Sequence, residues 1–143
     1  MTAADRRVNG YHPSFDIDLA YGAQGEMFVM NILNSLGAGA GSVEVKTDAK
    51  YEKTGRVYVE YECLKRGKWV PSGIQTTTAD FWAFVLGLNT FCFFIATDTL
   101  KQAAREKWRN PANRKSCDEG SCPTHGIVLY VDWLTKYAAK CAI

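Results

Sequence analysis

Two short segments alternate apolar and polar residues, and they constrain the fold more than any other feature. Val43-Glu44-Val45-Lys46-Thr47-Asp48 and Val57-Tyr58-Val59-Glu60-Tyr61-Glu62 both carry the period of two that belongs to a β-strand with one wet face. On that period Glu44, Lys46 and Asp48 share a face, and so do Tyr58, Glu60 and Glu62. The polar stretch between them, Lys50 to Gly55, has the composition of a hairpin connection. Pairing the two strands would gather Asp48, Glu60 and Glu62. Converging carboxylates repel unless a cation lies among them, and hard oxygen donors suit Mg2+. The plainer alternative is a hairpin with one solvated face. Against it, like charges at i and i+2 of one strand gain little from each other, and a nearby Asp adds to the repulsion.

The remaining elements follow from periodicity and punctuation. Residues 22–36 carry Met27, Met30, Leu33 and Leu36 at helical spacing, which predicts a helix bearing Glu26. Strands are expected at about 42–48 and 56–64, with a short third strand from Lys68 to Pro71 after a reversal at Gly67. Thr76 to Asp80 offers an N-cap, which predicts a helix through Phe81 to Leu86 stopped by Gly87. Thr90 to Ile95 is a continuous apolar run of strand length, expected to be buried on both faces. A helix from about Leu100 to Trp108, a loop from Asn110 to Thr124, a strand from Ile127 to Val131 and a terminal helix opening at Asp132 or Thr135 complete the chain. The sum is an α/β arrangement with an antiparallel hairpin at its centre.

A length of 143 residues suits one domain with a real core. The formal net charge of +2 is too small to mark a nucleic-acid binder by itself. Its distribution says more. Lys101, Arg105, Lys107, Arg109, Arg114 and Lys115 face a single acid, Glu106, in their stretch, and Lys65-Arg66-Gly67-Lys68 follows the second strand directly. Phosphodiester substrates require such basic surfaces, although a solvated helix face explains the 101–115 run equally well. No apolar leader opens the chain, and the run from Phe81 to Ile95 is too short to span a bilayer, so a soluble, intracellular protein is expected, with no membrane partner. Five cysteines, an odd number, fit reduced thiols. Cys117, Cys122 and His125 have zinc-like spacing, and only His12 or Cys141 could supply a fourth ligand, so an ordinary loop is the preferred reading.

The element order, with a helix-borne Glu, an Asp on one strand and Glu60-Tyr61-Glu62 on the next, resembles the PD-(D/E)XK nuclease superfamily. Glu44-Val45-Lys46-Thr47-Asp48, then Val59-Glu60-Tyr61-Glu62, then Ser72 to Trp82 is similar to a small phage-type branch of that group, which includes junction resolvases. The resemblance covers about residues 22–96 and leaves 97–143 as a helix-strand-helix extension of one domain. It implies a restriction-endonuclease-like αβββαβ core, a mixed central sheet flanked by helices. It also implies that Asp48, Glu60 and Glu26 hold Mg2+, with Mn2+ as a substitute. Thr47 stands where the motif has Pro, and Glu62 where it has Lys, so Lys46 is the candidate for the missing lysine's electrostatic role.

The activity so implied is metal-dependent hydrolysis of DNA, duplex or branched, by an endonuclease that includes the Holliday-junction-resolving type. Catalytic roles would fall to Glu26, Asp48, Glu60, Glu62 and Lys46, with Glu62 handling the attacking water. Lys65, Arg66, Lys68, Thr76, Thr77, Lys101 and Arg105 would contact DNA, and a small homodimer would suit two-strand cutting. The alternative is a catalytically inactive DNA-binding or assembly module of the same fold, and a zinc-stabilised interaction protein is a third reading.

Overall fold

The computed structural model describes residues 22–31, 33, 42–48, 54–87, 90–118 and 122–141. It is a mixed α/β protein with two sheets. Helix α1 (22–31) is followed by β1 (Val43–Thr47), β2 (Arg56–Lys65), β3 (Lys68–Pro71), β4 (Phe81–Leu86) and β5 (Phe91–Ala96). Helix α2 (Thr97–Trp108), β6 (Arg114–Cys117), β7 (Thr124–Tyr130) and α3 (Val131–Cys141) complete it. Sheet 1 has the order β1-β4-β5 and sheet 2 the order β3-β2-β7-β6.

The expected hairpin of β1 with β2 does not form. β1 runs parallel to β4, with Val45 opposite Ala83 and Thr47 opposite Val85, while β2 lies antiparallel between β3 and β7. The reason is where each apolar face finds cover. Val43 and Val45 join Ala83, Val85 and Val29 of α1 in a small cluster. Val57 and Val59 instead join Ile127, Leu129, Trp82, Phe84 and Leu86 in the main core, with Leu100, Ala103 and Ala104 of α2 and Leu134 of α3.

The helix expected over Phe81–Leu86 is a strand. A helix buries one stripe, whereas this segment buries both faces: Ala83 and Val85 against α1, and Trp82, Phe84 and Leu86 in the main core. Six residues between the turn at Asp80 and Gly87 are also short for a helix and natural for a strand. Thr76 and Thr77 therefore cap no helix there. The Thr77 hydroxyl accepts the Ala79 amide at 3.2 Å, and Thr76 donates to the Gly73 carbonyl at 3.5 Å. With this strand inserted, the expected αβββαβ order gives way to α1-β1-β2-β3-β4-β5-α2.

Two smaller corrections concern edges. β5 forms where a strand was expected, but it is the outer strand of sheet 1, with Phe91 45% and Phe94 39% exposed, not buried on both faces. The expected loop 110–124 contains β6, paired with β7 from Arg114 opposite Ile127 to Cys117 opposite Thr124. Helices α1, α2 and α3 stand where helices were expected, although 32 and 34–36 lie outside the described residues. Among the described residues no helix is long and apolar enough to cross a membrane.

Candidate functional site

The β2–β3 hairpin closes in two residues. Arg66 and Gly67 both have positive φ, +52° and +75°, as a tight type I′ connection requires. Gly accepts that conformation freely, but Arg does not, and Asn or Gly is the favoured occupant of the first position. Immediately below the turn Lys65 sits directly opposite Lys68, a like-charged cross-strand pair that is locally unfavourable. Lys65, Arg66 and Lys68 are all exposed. The tip therefore breaks two local rules at once, and each break adds or retains a cation.

One step down the hairpin Trp69 stands opposite Leu64 and stacks on His125 of β7, with ring centroids 3.6 Å apart and planes 15° from parallel. His125 Nδ1 lies 2.9 Å from Glu62 Oε1. Facing a carboxylate, which only accepts, Nδ1 carries the proton and donates, and Nε2 points away from Glu62. The pair is part-buried, with 30% of the His125 and 26% of the Glu62 side chain exposed.

A β-bulge makes this pair. Glu60 opposes Gly126, but Glu62 opposes His125, so Tyr61 is the extra residue on β2. Gly126 and His125 are neighbours on one strand and lie on opposite faces, so their partners Glu60 and Glu62 do too. The bulged Tyr61 is well held. Its carbonyl accepts Ser72 N at 3.1 Å and Gln75 Nε2 at 2.6 Å, and its ring stacks on Trp108 at 4.3 Å. The expectation that Glu60 and Glu62 share a face is thereby overturned.

Glu60 stays on the outer face with Tyr58, whose ring crosses Gly126 to bring its hydroxyl 2.8 Å from Thr124 Oγ1. Burial pushes the Tyr58 phenol up to about 12, the Thr124 hydrogen bond partly opposing it and the Cys117 and Glu60 charges adding to it. The zinc-like trio is divided in the same way. Cys117 opposes Thr124 and His125 opposes Ser116, which puts the thiol and the imidazole on opposite faces of sheet 2.

The other expected site residues are distributed over the molecule. Glu26 is exposed on α1, beside which Val29 packs onto sheet 1. Asp48 follows β1 and its amide donates to the Val85 carbonyl at 3.1 Å. Lys46 Nζ is 2.9 Å from Glu44 Oε1 and 5.5 Å from the Trp82 ring centre. Asp48 thus extends sheet 1, while Glu60 and Glu62 belong to sheet 2. Among the described residues no group of three or more His, Cys, Asp or Glu side chains is placed to hold a metal ion. Lys101 and Arg105 lie one turn apart on α2, but two members of that basic run are committed to aromatic faces: Lys107 over Trp133 at 4.3 Å and Arg114 over Trp108 at 4.4 Å.

The sequence associated His125 only with Cys117 and Cys122, not with Glu62, and gave Trp69 no role. An aromatic residue one position beyond a basic turn was the available signal for Trp69. For the His125–Glu62 pair there was none, because the bulge that creates it depends on register with a strand about sixty residues away. No family model matches this chain, and neither a curated protein nor a solved structure matches it.

Proposed function

We propose that this protein binds nucleic acid through the β2–β3 hairpin of sheet 2, with Lys65, Arg66 and Lys68 neutralising phosphates. The observation that carries the reading is the strained, like-charged tip. A chain loses stability by keeping Arg at a left-handed position and Lys opposite Lys, and such local violations mark functional positions. An anionic polymer relieves the repulsion when it binds. The test is salt-dependent binding of a labelled oligonucleotide by the wild type and by a Lys65→Ala, Arg66→Ala, Lys68→Ala triple variant. Each phosphate contact removed should lower the slope of log K against log salt by about 0.7–0.9. An unchanged slope and affinity would sink the proposal. Arg66→Gly alone should weaken binding while raising stability by about 0.5–1 kcal/mol, since it relieves the positive-φ strain.

Metal-dependent cleavage of DNA is the second reading. It is favoured by the position of Asp48 at the carboxyl end of the parallel β1–β4 pair, the edge where open α/β sheets place their ligands. The described carboxylates do not form a metal-holding group, so no reaction step is assigned to Mg2+. The deciding experiment incubates a labelled four-way junction, a duplex and a single strand with Mg2+, Mn2+ or EDTA. Metal-dependent products that vanish in Asp48→Ala would support the nuclease. Tight binding with no product under any condition would leave the DNA-binding module.

A further inference from the structure

We infer that Trp69 is a stacking platform for an unpaired base, so that the nucleic acid this protein recognises is single-stranded. The inference rests on the proposed phosphate-binding role of the hairpin and names the form of its ligand. Trp69 is 41% exposed on an edge strand, where a large apolar ring gains little from burial. Its orientation is nonetheless fixed. One side lies against the His125 ring at 3.6 Å, and Glu62 holds that ring in turn through Nδ1. An indole held flat by a hydrogen-bonded imidazole stands one residue below the Lys65–Lys68 pair at the hairpin tip; the two lysines start from the opposite face, so a strand that crosses the tip meets the cations and the aromatic surface in turn. Those are the two parts with which single strands are bound without sequence preference.

In a duplex both faces of each base are already stacked, so Trp69 has nothing to receive there and only the phosphate contacts remain. An unpaired base supplies a free π-face. His125 and Glu62 act as positioning residues: they set the plane of the indole and do not themselves touch the base. Removing the Glu62 acceptor frees the imidazole to rotate. Glu62→Gln keeps a side-chain acceptor for Nδ1–H and should preserve binding where Glu62→Ala does not.

The experiment compares a fluorescein-labelled 15-nucleotide DNA single strand, the same strand hybridised, and a 15-unit abasic strand, using the full chain. The wild type should prefer the intact single strand over both others. Trp69→Ala should weaken single-strand binding roughly 10- to 100-fold, the worth of one stacked base, with duplex affinity and the salt slope unchanged. Trp69→Phe should recover part of the loss; a merely structural role would weaken duplex and single-strand binding alike, and circular dichroism with thermal melting confirms that the variants fold. Quenching of tryptophan emission by the single strand should disappear in Trp69→Phe. Equal binding of the three ligands, or an unaffected Trp69→Ala, would overturn the stacking role. If the hairpin triple variant still loses affinity in that case, the phosphate-binding reading survives. Should the wild type bind none of the three, both readings fall.

Discussion

β4 supplies most of the buried side chains that sheet 1 gives to the main core and β2 supplies half of those from sheet 2, yet the two strands are built from opposite kinds of sequence. β4 is apolar at every position and buries both faces, one under α1 and one against sheet 2 and the later helices. β2 buries Val57 and Val59 on one face and keeps Tyr58 and Glu60 on the other, before the bulge at Tyr61 exchanges the faces. The contrast teaches that a strand's sequence reports how many of its faces are dry more faithfully than it reports which strand lies beside it. It also separates the work of the two sheets: sheet 1 is braced on both sides, while sheet 2 keeps polar and charged groups accessible around its first hairpin.

The sharpest way to break the comparison is through the doubly covered strand. Phe84 is fully buried and packs on Phe93 at 5.1 Å and Trp82 at 6.1 Å. Phe84→Ala should cost about 3–5 kcal/mol in denaturant unfolding, the range for a large aromatic removed from a core that cannot collapse. The equivalent truncation on the edge strand, Phe94→Ala, should cost much less, because Phe94 is already substantially exposed. Equal losses at the two positions would mean that β5 is not an edge in solution.

On sheet 2 the vulnerable point is a close approach. The φ of Gly126 is not positive, so the demand at this position is for space. A Cβ there would meet the Val59 carbonyl oxygen and come within 2.6 Å of Tyr58 Cζ. Gly126→Ala should therefore destabilise by about 1–3 kcal/mol through overpacking. Making the same change in a Tyr58→Ala background should show coupling, since one of the two clashing groups is then gone. Strict additivity would show that the Tyr58 ring does not lie across Gly126.

The same contrast explains which parts of the fold and the site could be read from the sequence. β1 and β2 were legible because a wet face against a dry one imposes period two, β3 because Gly67 marks a reversal and Pro71 a strand's end, and α2 and α3 because Thr and Asp residues mark where a helix opens. Phe81–Leu86 was not legible: with both faces dry there is no alternation, and a Thr-rich lead-in mimics a helix cap. Pairing was not legible either. Val43-Glu44-Val45 and Val57-Tyr58-Val59 are equally suited to a hairpin with each other, and only the competing partners Ala83 and Val85, Ile127 and Leu129 decide against it. The basic turn at Arg66 was visible because it is local. The Glu62–His125 pair was invisible because a one-residue bulge sets it, and a bulge is written in the register of two strands, not in either one.

The smallest expected effect tests that register from the outer face of the bulge. Tyr58→Phe removes the 2.8 Å bond to Thr124, whose hydroxyl keeps a 3.4 Å donation to the Cys117 carbonyl, so the cost below pH 10 should be about 1 kcal/mol. The diagnostic part is the alkaline limb. Burial raises the folded-state Tyr58 phenol from 10 to about 12, so above pH 10 the unfolded chain releases this proton while the folded chain retains it. Stability from this group is fully present below pH 10 and is lost as pH rises from 10 towards 12. Replacing Tyr58 by Phe abolishes that contribution, and the unfolding midpoint should fall less steeply across the window. Tyr137, also raised by burial, leaves a residual slope. Denaturant titrations at pH 9 and pH 11 measure the difference. Parallel losses in wild type and variant would place the Tyr58 hydroxyl in solvent, and with it would go the bulge geometry that sets Glu60 on one face and Glu62 on the other.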